Sequence, residues 1–343
     1  MGISRKAAVA SMGQWGSGAT WLPDFLVLSL IWGSSFALIK VAVDAGVPPV
    51  WVALARCFFG MLALVGICVV RRVKLPSAPR TWGHAVIVAV LLNMLPFTFL
   101  AYGETQVSSI IAGILNATVP LMTLLFIPLF VPHERLTRRR LMGLLLGFGG
   151  VLVVLGIWGG LGSATLVGSM ACLASTFFIG AGFAYTRRFF TTGRESATAL
   201  CAAQLTCATA GLSVVAPAID GVPVWPGWGP AVSLIALGAA GTGIAYVLNL
   251  RVISTVGPTM ASTVTYVIPL WSIGIGIVLL SEPLSWNAIV GTALVLAGVQ
   301  LTRPPRRTES TTPRPDPTAS APSGVTGAEA VASHPGPDTE RIT

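Results

Sequence analysis

Charged residues are scarce in this sequence: 12 Asp and Glu together with 21 Lys and Arg make up 10% of the 343 residues. Soluble domains carry about 25% charged residues. With 54% hydrophobic residues and a mean hydropathy of +0.80, the chain cannot cover its apolar surface with polar side chains. The composition therefore excludes an ordinary soluble domain and indicates an integral membrane protein.

Residue types that serve catalysis and metal binding are also sparse. There are three His, and His133-Glu134 lacks the second histidine of a zinc-protease helix. The five Cys lie in apolar stretches without metal-ligand spacing, so we interpret them as small apolar side chains and predict neither a metal nor a cofactor. His, Asp and Glu are too scattered for acid–base chemistry at one interface. The sequence also lacks a Walker A motif, which argues against direct use of ATP.

Long apolar segments fill most of the chain. A hydrophobic run of about 20 residues spans a bilayer as a helix. The sequence predicts an all-α integral membrane protein with ten transmembrane helices, at roughly 24–43, 49–70, 82–103, 107–131, 141–158, 165–187, 197–218, 231–252, 257–281 and 284–302.

Basic residues alternate between the two sides of these segments. With the N-terminus inside, 19 of the 21 Lys and Arg fall on the inner side and none in an outer loop; Lys40 and Arg56 lie within helices. The positive-inside rule then places both termini in the cytoplasm of a bacterial-type inner membrane. Anionic lipid head groups account for the positive charge, so we predict no nucleic-acid partner. Residues 1–23 form a cytoplasmic segment, and 303–343, rich in Pro, Ser and Thr, form a disordered cytoplasmic tail.

The two halves of the sequence echo each other. Counted from Glu134 and from Glu282, Leu follows at +2, Gly at +9 and Gly at +16. Each half holds five helices, an odd number, so the second copy enters the membrane from the opposite face. We therefore predict two inverted five-helix repeats, at 24–158 and 165–302. The alternative is a chance similarity between two apolar segments.

These motifs resemble those of EamA-type members of the drug/metabolite transporter (DMT) superfamily. The resemblance covers about residues 24–302 and includes Leu30-Ile31-Trp32-Gly33-Ser34-Ser35-Phe36 and Ala55-Arg56-Cys57-Phe58-Phe59. It implies a ten-helix secondary carrier, an exporter, for an amino acid, metabolite or drug. One departure is Ala174-Ser175-Thr176-Phe177, which lacks a tryptophan often found at the start of the second repeat.

Polar residues near the helix midpoints predict a central cavity. Such residues are costly in lipid and usually face protein or water. On this basis helices one, three, four, six, eight and nine line the cavity, and helix seven departs from the pattern with Gln204 and Thr206. The alternative is that Ser and Thr bond to their own backbone and allow close helix packing. The predicted cavity residues are Trp32, Ser34, Ser35, Asn93, Asn116, Thr118, Thr176, Thr242, Thr263, Thr265 and Tyr266.

Pro120 and Pro269 lie near the middle of equivalent helices. Each removes an N–H and clashes with the carbonyl four residues earlier, that of Asn116 or Thr265. A freed carbonyl in the membrane needs a new donor, which substrate could supply. The alternative is a packing kink satisfied by a neighbouring helix.

Arg56 is the most costly residue of the predicted membrane region. It lies about 10 Å deep at 1.5 Å per residue, so we expect an acidic partner, Glu104 or Asp44. Glu104 is also the acid nearest the cavity, which makes it the candidate for proton coupling. The alternative is a structural role, in which Glu104 neutralises Arg56 and the pair clasps two helices rather than contacting substrate. Lys40 lies near a helix end and can extend to the interface.

Together these features predict a secondary transporter that moves a small neutral or zwitterionic metabolite, or an amino-acid-like compound, by alternating access. Its partners are the small-molecule substrate, membrane lipid and protons as the candidate coupling ion. Two alternatives are an integral membrane enzyme such as a transferase, and a non-transporting membrane receptor.

Overall fold

The computed structural model describes residues 21–130, 137–156, 158, 163–190 and 195–302. The predicted tail 303–343, Glu134 of the first repeat motif and most of the segment 1–23 lie outside these ranges. Within them the regular secondary structure is helical throughout. The helices are α1 Trp21–Asp44, α2 Pro49–Val70, α3 Pro79–Glu104, α4 in two parts (Ser109–Asn116 and Val119–Phe130), α5 Arg138–Leu155, α6 Ser163–Tyr185 with its extension Thr186–Phe190, α7 Ala197–Asp220, α8 Trp228–Gly257, α9 Val264–Leu280 and α10 Trp286–Thr302.

Seven of the described helices are long and apolar enough to cross a membrane: α1, α2, α3, α4, α6, α7 and α8. Helices α9 and α10 are apolar but have 17 residues each. Helix α5 begins with three arginines, Arg138, Arg139 and Arg140. The structure thus confirms an all-α, multi-pass membrane protein, and the full count of ten spans stays a prediction.

The repeated glycines of the two halves meet each other where α5 packs against α10. A Cβ atom on Gly143 would lie 2.6 Å from the carbonyl oxygen of Gly298, and one on Gly150 would lie 2.9 Å from that of Gly291. The two pairings run in opposite directions along the chain, so α5 and α10 are antiparallel. Seven residues make about two turns, which puts both glycines of a helix on one face. The glycines whose spacing predicted a repeat therefore form a contact surface between the two halves.

A second pair of equivalent contacts relates α1 to α6. Gly33 of α1 packs against Trp271 of α9, and Gly180 of α6 packs against Met122 of α4, with 2.6 Å between a Cβ built on Gly180 and the Met122 carbonyl carbon. Helix α9 is the counterpart of α4 in the second half. In each case, therefore, the first helix of one half packs against the fourth helix of the other half. Helices α1 and α6 are thus equivalent in packing, although α6 lacks the expected tryptophan.

Helices α3 and α8 each contain a π-helical segment, Val90–Met94 and Ala239–Ile244. Helix α4 is interrupted at 117–118, and a similar turn at 262–263 precedes α9. Irregular segments of both kinds are frequent at functional and substrate sites. Pro120 is the second residue after the first interruption, whereas Pro269 lies inside the continuous helix α9. The second interruption therefore does not fall at the proline, where we expected it.

The N-terminus of α4 is capped from the other half of the chain. One carboxylate oxygen of Glu282 accepts the backbone N–H of Ser109 at 2.8 Å. The other accepts the Ser109 hydroxyl at 2.9 Å and the Ile110 N–H at 3.1 Å. The first N–H groups of a helix have no partner within the helix and favour negative charge. Glu282 therefore joins the two halves through a charge-assisted cap.

We expect Glu282→Gln to lower the free energy of unfolding by about 1 kcal/mol, because the amide keeps one acceptor and loses the charge and the second acceptor. Thermal unfolding of the purified protein in detergent would measure the change. Glu195→Gln is the matched control, since that carboxylate accepts a single bond from the Thr81 hydroxyl at 3.2 Å. Equal melting temperatures for wild type and Glu282→Gln would show that the cap contributes nothing.

Candidate functional site

A cavity of about 340 Å³ lies between the two halves. Its walls come from α1, α2, α3 and α4 of the first half and from α6, α7, α8 and α9 of the second. Among the described residues, α5 and α10 supply none of the lining. Phe36, Phe97 and Phe183 form part of an apolar wall. The polar and indole side chains that line the cavity are Trp32, Ser35, Arg56, Asn116, Ser175, Thr186, Gln204, Tyr246, Asn249 and Thr265.

Four of the predicted cavity residues line this space: Trp32, Ser35, Asn116 and Thr265. Asn93 and Thr242 lie behind the lining, each within a π-helical segment. The Asn93 amide donates to the Tyr246 hydroxyl at 3.3 Å, and the Thr242 hydroxyl accepts from Nε of Arg56 at 3.0 Å. Both bonds connect one half of the protein to the other.

The remaining predicted residues are absent from the lining. The hydroxyls of Ser34, Thr118, Thr176 and Thr263 each donate to the main-chain carbonyl three residues earlier. Thr118 also donates to Thr176 at 3.2 Å, which ties α4 to α6. These four residues therefore match the alternative interpretation of the sequence pattern, in which Ser and Thr hydroxyls bond to their own backbone. Tyr266, Pro120 and Pro269 also lie outside the lining.

Besides Arg56, five polar cavity residues were not among the predicted ones: Ser175 and Thr186 on α6, Gln204 on α7, and Tyr246 and Asn249 on α8. Gln204 stood out in the sequence as a polar residue within a membrane helix, but α7 was assigned to the periphery. The side-chain amides of Asn116, Gln204 and Asn249 have no hydrogen-bond partner among the described residues. An amide offers both donors and acceptors, so these groups are suited to binding a polar ligand.

Arg56 has no acidic partner among the described residues, which corrects the expectation from its depth. Its guanidinium binds Thr242, and its Cζ lies 3.9 Å from the centroid of the Phe97 ring. Within the described ranges, the ion pair joins Lys40 to Asp44 at 2.9 Å. Lys40 also donates to the main-chain oxygen of Glu104 at 3.0 Å. The Glu104 carboxyl is fully buried, lies outside the cavity lining, and has no hydrogen-bond partner among the described residues.

The cavity extends towards one end of the bundle. Phe190 at the end of α6 and Ala197 at the start of α7 belong to its lining. Residues near the other end of the helices, among them Ile39, Val43 and Val107, pack into a hydrophobic cluster. The space is therefore asymmetric along the helices, with its extension on the side of the α6–α7 connection.

A separate groove of about 410 Å³ lies on the outside of the bundle, between α2 and α8. Leu62, Val70 and Ile244 of its lining are exposed, and Arg71 and Arg251 lie at one end. The described lining of this groove comes from α2, α8 and the adjoining Arg71, and the groove faces outwards. We therefore take the central cavity as the candidate site.

Cys201 provides a native probe of the cavity. It lines the cavity and is half-buried, whereas Cys57 and Cys172 are buried away from it. In variants that retain a single cysteine, we expect Cys201 to react with a charged methanethiosulfonate reagent much faster than Cys172, because the reagent needs water access. Mass spectrometry of labelled membranes would measure both rates. Equal rates for the two variants would contradict water access to this cavity.

Comparisons with known proteins agree with this architecture. The sequence profile described as the EamA-like transporter family matches residues 18–156 and again 166–303. An uncharacterized transporter of Archaeoglobus fulgidus is 23% identical over 298 residues, which cover 82% of this chain and 98% of that protein. The uncharacterized inner membrane transporter YedA of Escherichia coli K12 is 31% identical over 128 residues, 37% of this chain and 40% of YedA. A solved crystal structure with 22% identity has the same fold, with a TM-score of 0.58 over 83% of this chain and 96% of its own.

Proposed function

The chain belongs to the EamA-like transporter family, and from this premise we propose that it carries a small metabolite through the central cavity by alternating access. The family assignment confirms the resemblance inferred from the motifs, and it favours transport over a membrane transferase or a receptor. We further propose export from the cytoplasm across an inner membrane, with both termini cytoplasmic.

The observation that supports transport best is a cavity shared by two equivalent halves. Both halves supply lining residues, and Asn116, Gln204 and Asn249 present amides that have no hydrogen-bond partner within the described part of the chain. Carriers of this type bind substrate at the interface of their repeats, where helices are interrupted. The interruption at 117–118 lies between the lining residues Asn116 and Val119, and the one at 262–263 ends two residues before the lining residue Thr265.

The shape of the cavity supports an inward-facing state. In the proposed orientation, Arg187 and Arg188 lie on the cytoplasmic side, and the cavity extends to Phe190 beside them. The Glu282 cap on Ser109 and the Lys40 bond to Glu104 connect helices at the opposite end. An outward-facing state would require these contacts to separate.

Transport in inverted membrane vesicles tests the proposal. Uptake of labelled amino acids and small carboxylic acids would be measured with and without a pH gradient. We expect Asn116→Ala to weaken apparent affinity about two- to tenfold, as for the loss of one hydrogen bond. The control is Ser254→Ala, an exposed residue whose hydroxyl binds its own helix backbone. If wild-type vesicles accumulate no more of any compound than vesicles without the protein, or if Asn116→Ala and Gln204→Ala are both silent, the proposed function is wrong.

A further inference from the structure

Arg56 places a positive charge on the wall of the central cavity. Its side chain is 8% exposed and belongs to the lining. Thr242 holds Nε at 3.0 Å, and the Thr242 hydroxyl is itself oriented by a bond to the Leu237 carbonyl at 3.4 Å. The ring of Phe97 covers one face of the guanidinium. These contacts fix the orientation of the group without neutralising it.

The charge of Arg56 has no counter-ion within ion-pair distance among the described residues. The described residues that line the cavity include no Asp or Glu. Asp44 pairs with Lys40, Glu282 caps α4, and the Glu104 carboxyl makes no hydrogen bond to Arg56. A buried charge is costly unless it is paired and hydrogen-bonded. The guanidinium of Arg56 is thus held in a fixed orientation, but no described residue supplies the negative charge that would neutralise it.

The terminal nitrogens of Arg56 are free to supply that pairing. Nε is engaged by Thr242, and Nη1 and Nη2 have no hydrogen-bond partner among the described residues. A guanidinium edge matches a carboxylate in a bidentate arrangement, which is a strong and directional contact. The rest of the cavity offers an indole at Trp32, phenyl rings and the three unpartnered amides.

We propose that the transported compound carries one carboxylate, which binds the terminal nitrogens of Arg56, and an apolar or aromatic body that lies against Trp32 and Phe36. This inference rests on the proposed function and specifies its substrate class. A zwitterion with one carboxylate fits, because amide and hydroxyl oxygens can accept bonds from an ammonium group. A cation without a carboxylate does not fit, because the described lining residues include no acid to neutralise it.

Matched ligands test the site directly on the purified full-length protein in detergent. The probes are 3-phenylpropionate and phenylalanine, each compared with its carboxamide, together with acetate and acetamide as the pair without a body. We expect at least one aromatic carboxylate to bind about ten- to a hundredfold more tightly than its carboxamide, measured by calorimetry, because a charged hydrogen-bond pair is lost in the amide. If no carboxylate binds, or if the amides bind equally well, the proposal is overturned.

Variants locate the carboxylate. Arg56→Gln is expected to remove the preference for carboxylate over carboxamide, and Arg56→Lys to retain part of it. Arg251→Gln, which changes an exposed arginine outside the cavity, should leave the preference intact. Should Arg56→Gln fail to fold, Arg56→Lys and the wild-type comparison still decide the outcome. A full preference in Arg56→Gln would place the carboxylate elsewhere and overturn the proposal.

Transport assays separate this inference from the proposed function. Arg56-dependent binding of a carboxylate without its accumulation in proteoliposomes would leave the site standing and refute transport of that compound. Accumulation of a carboxamide or an amine with wild-type affinity in Arg56→Gln would establish transport and overturn the carboxylate site.

Discussion

Gly150→Val is expected to prevent most of the protein from folding, whereas Gly149→Val, one residue earlier, should fold like the wild type. A Cβ on Gly150 would lie 2.7 Å from the backbone nitrogen of Val295 and 2.9 Å from the carbonyl oxygen of Gly291. Both are main-chain atoms of α10, so no side-chain rotation relieves the clash, and the cost should reach about 3 kcal/mol or more. A Cβ on Gly149 meets no atom within 4 Å.

The two neighbouring substitutions share the same intrinsic effect on the helix, so their difference reports the α5–α10 contact. The yield of monodisperse protein after detergent extraction and its melting temperature would measure that difference. Comparable yield and stability for the two variants would mean that α10 does not approach α5 as closely as the structure has it.

Glu104→Gln is expected to abolish transport driven by a pH gradient and to leave exchange of substrate for substrate intact, if Glu104 carries the coupling proton. The carboxyl is fully buried, and both of its oxygens lack partners among the described residues. An ionised carboxylate is costly in such a place, while the protonated acid is neutral and can donate a bond. The buried Glu104 carboxyl can release its proton only when a conformational change alters its surroundings. Protonation of this residue can therefore be coupled to the conformational cycle of transport.

Asp44→Asn is the matched control, because Asp44 is an acid beside the same Lys40 but has a side chain that is 57% exposed. Accumulation and exchange would be measured in proteoliposomes with an imposed pH gradient. Proton-driven accumulation that survives Glu104→Gln would exclude this residue as the coupling site. Since Glu104 forms no ion pair with Arg56 in the structure, Arg56→Gln should not restore a defective Glu104→Gln variant.

Much of the helical framework could be predicted from the sequence because it depends on local composition. Apolar length marked the helices, and the repeated spacing of Gly143, Gly150, Gly291 and Gly298 indicated two equivalent halves. That spacing carries information because only a residue without a side chain permits backbone atoms to approach so closely.

The candidate site was harder to predict because it depends on which way each side chain faces. Depth alone could not distinguish Ser35, which lines the cavity, from Ser34, which does not. Arg56 and Thr242 are 186 residues apart in sequence, and their bond depends on the packing of α2 against α8. We expected an acidic partner for Arg56 because a carboxylate commonly pairs with a buried arginine. In the structure the Thr242 hydroxyl and the Phe97 ring contact its guanidinium instead.

The π-helical segments of α3 and α8 have a consequence for changes in chain length. A π-helical segment holds one extra residue within an α-helix. The helical turns before and after the segment keep the same rotation about the helix axis as they would have in a continuous α-helix without that residue. Deleting one residue elsewhere in a helix turns everything beyond it by about 100°. Within Val90–Met94 or Ala239–Ile244, a single deletion would instead restore an ordinary α-helix and leave both flanks in phase. In both of these segments the chain can therefore lose a residue beside the cavity and alter only the local position of Asn93 or Thr242.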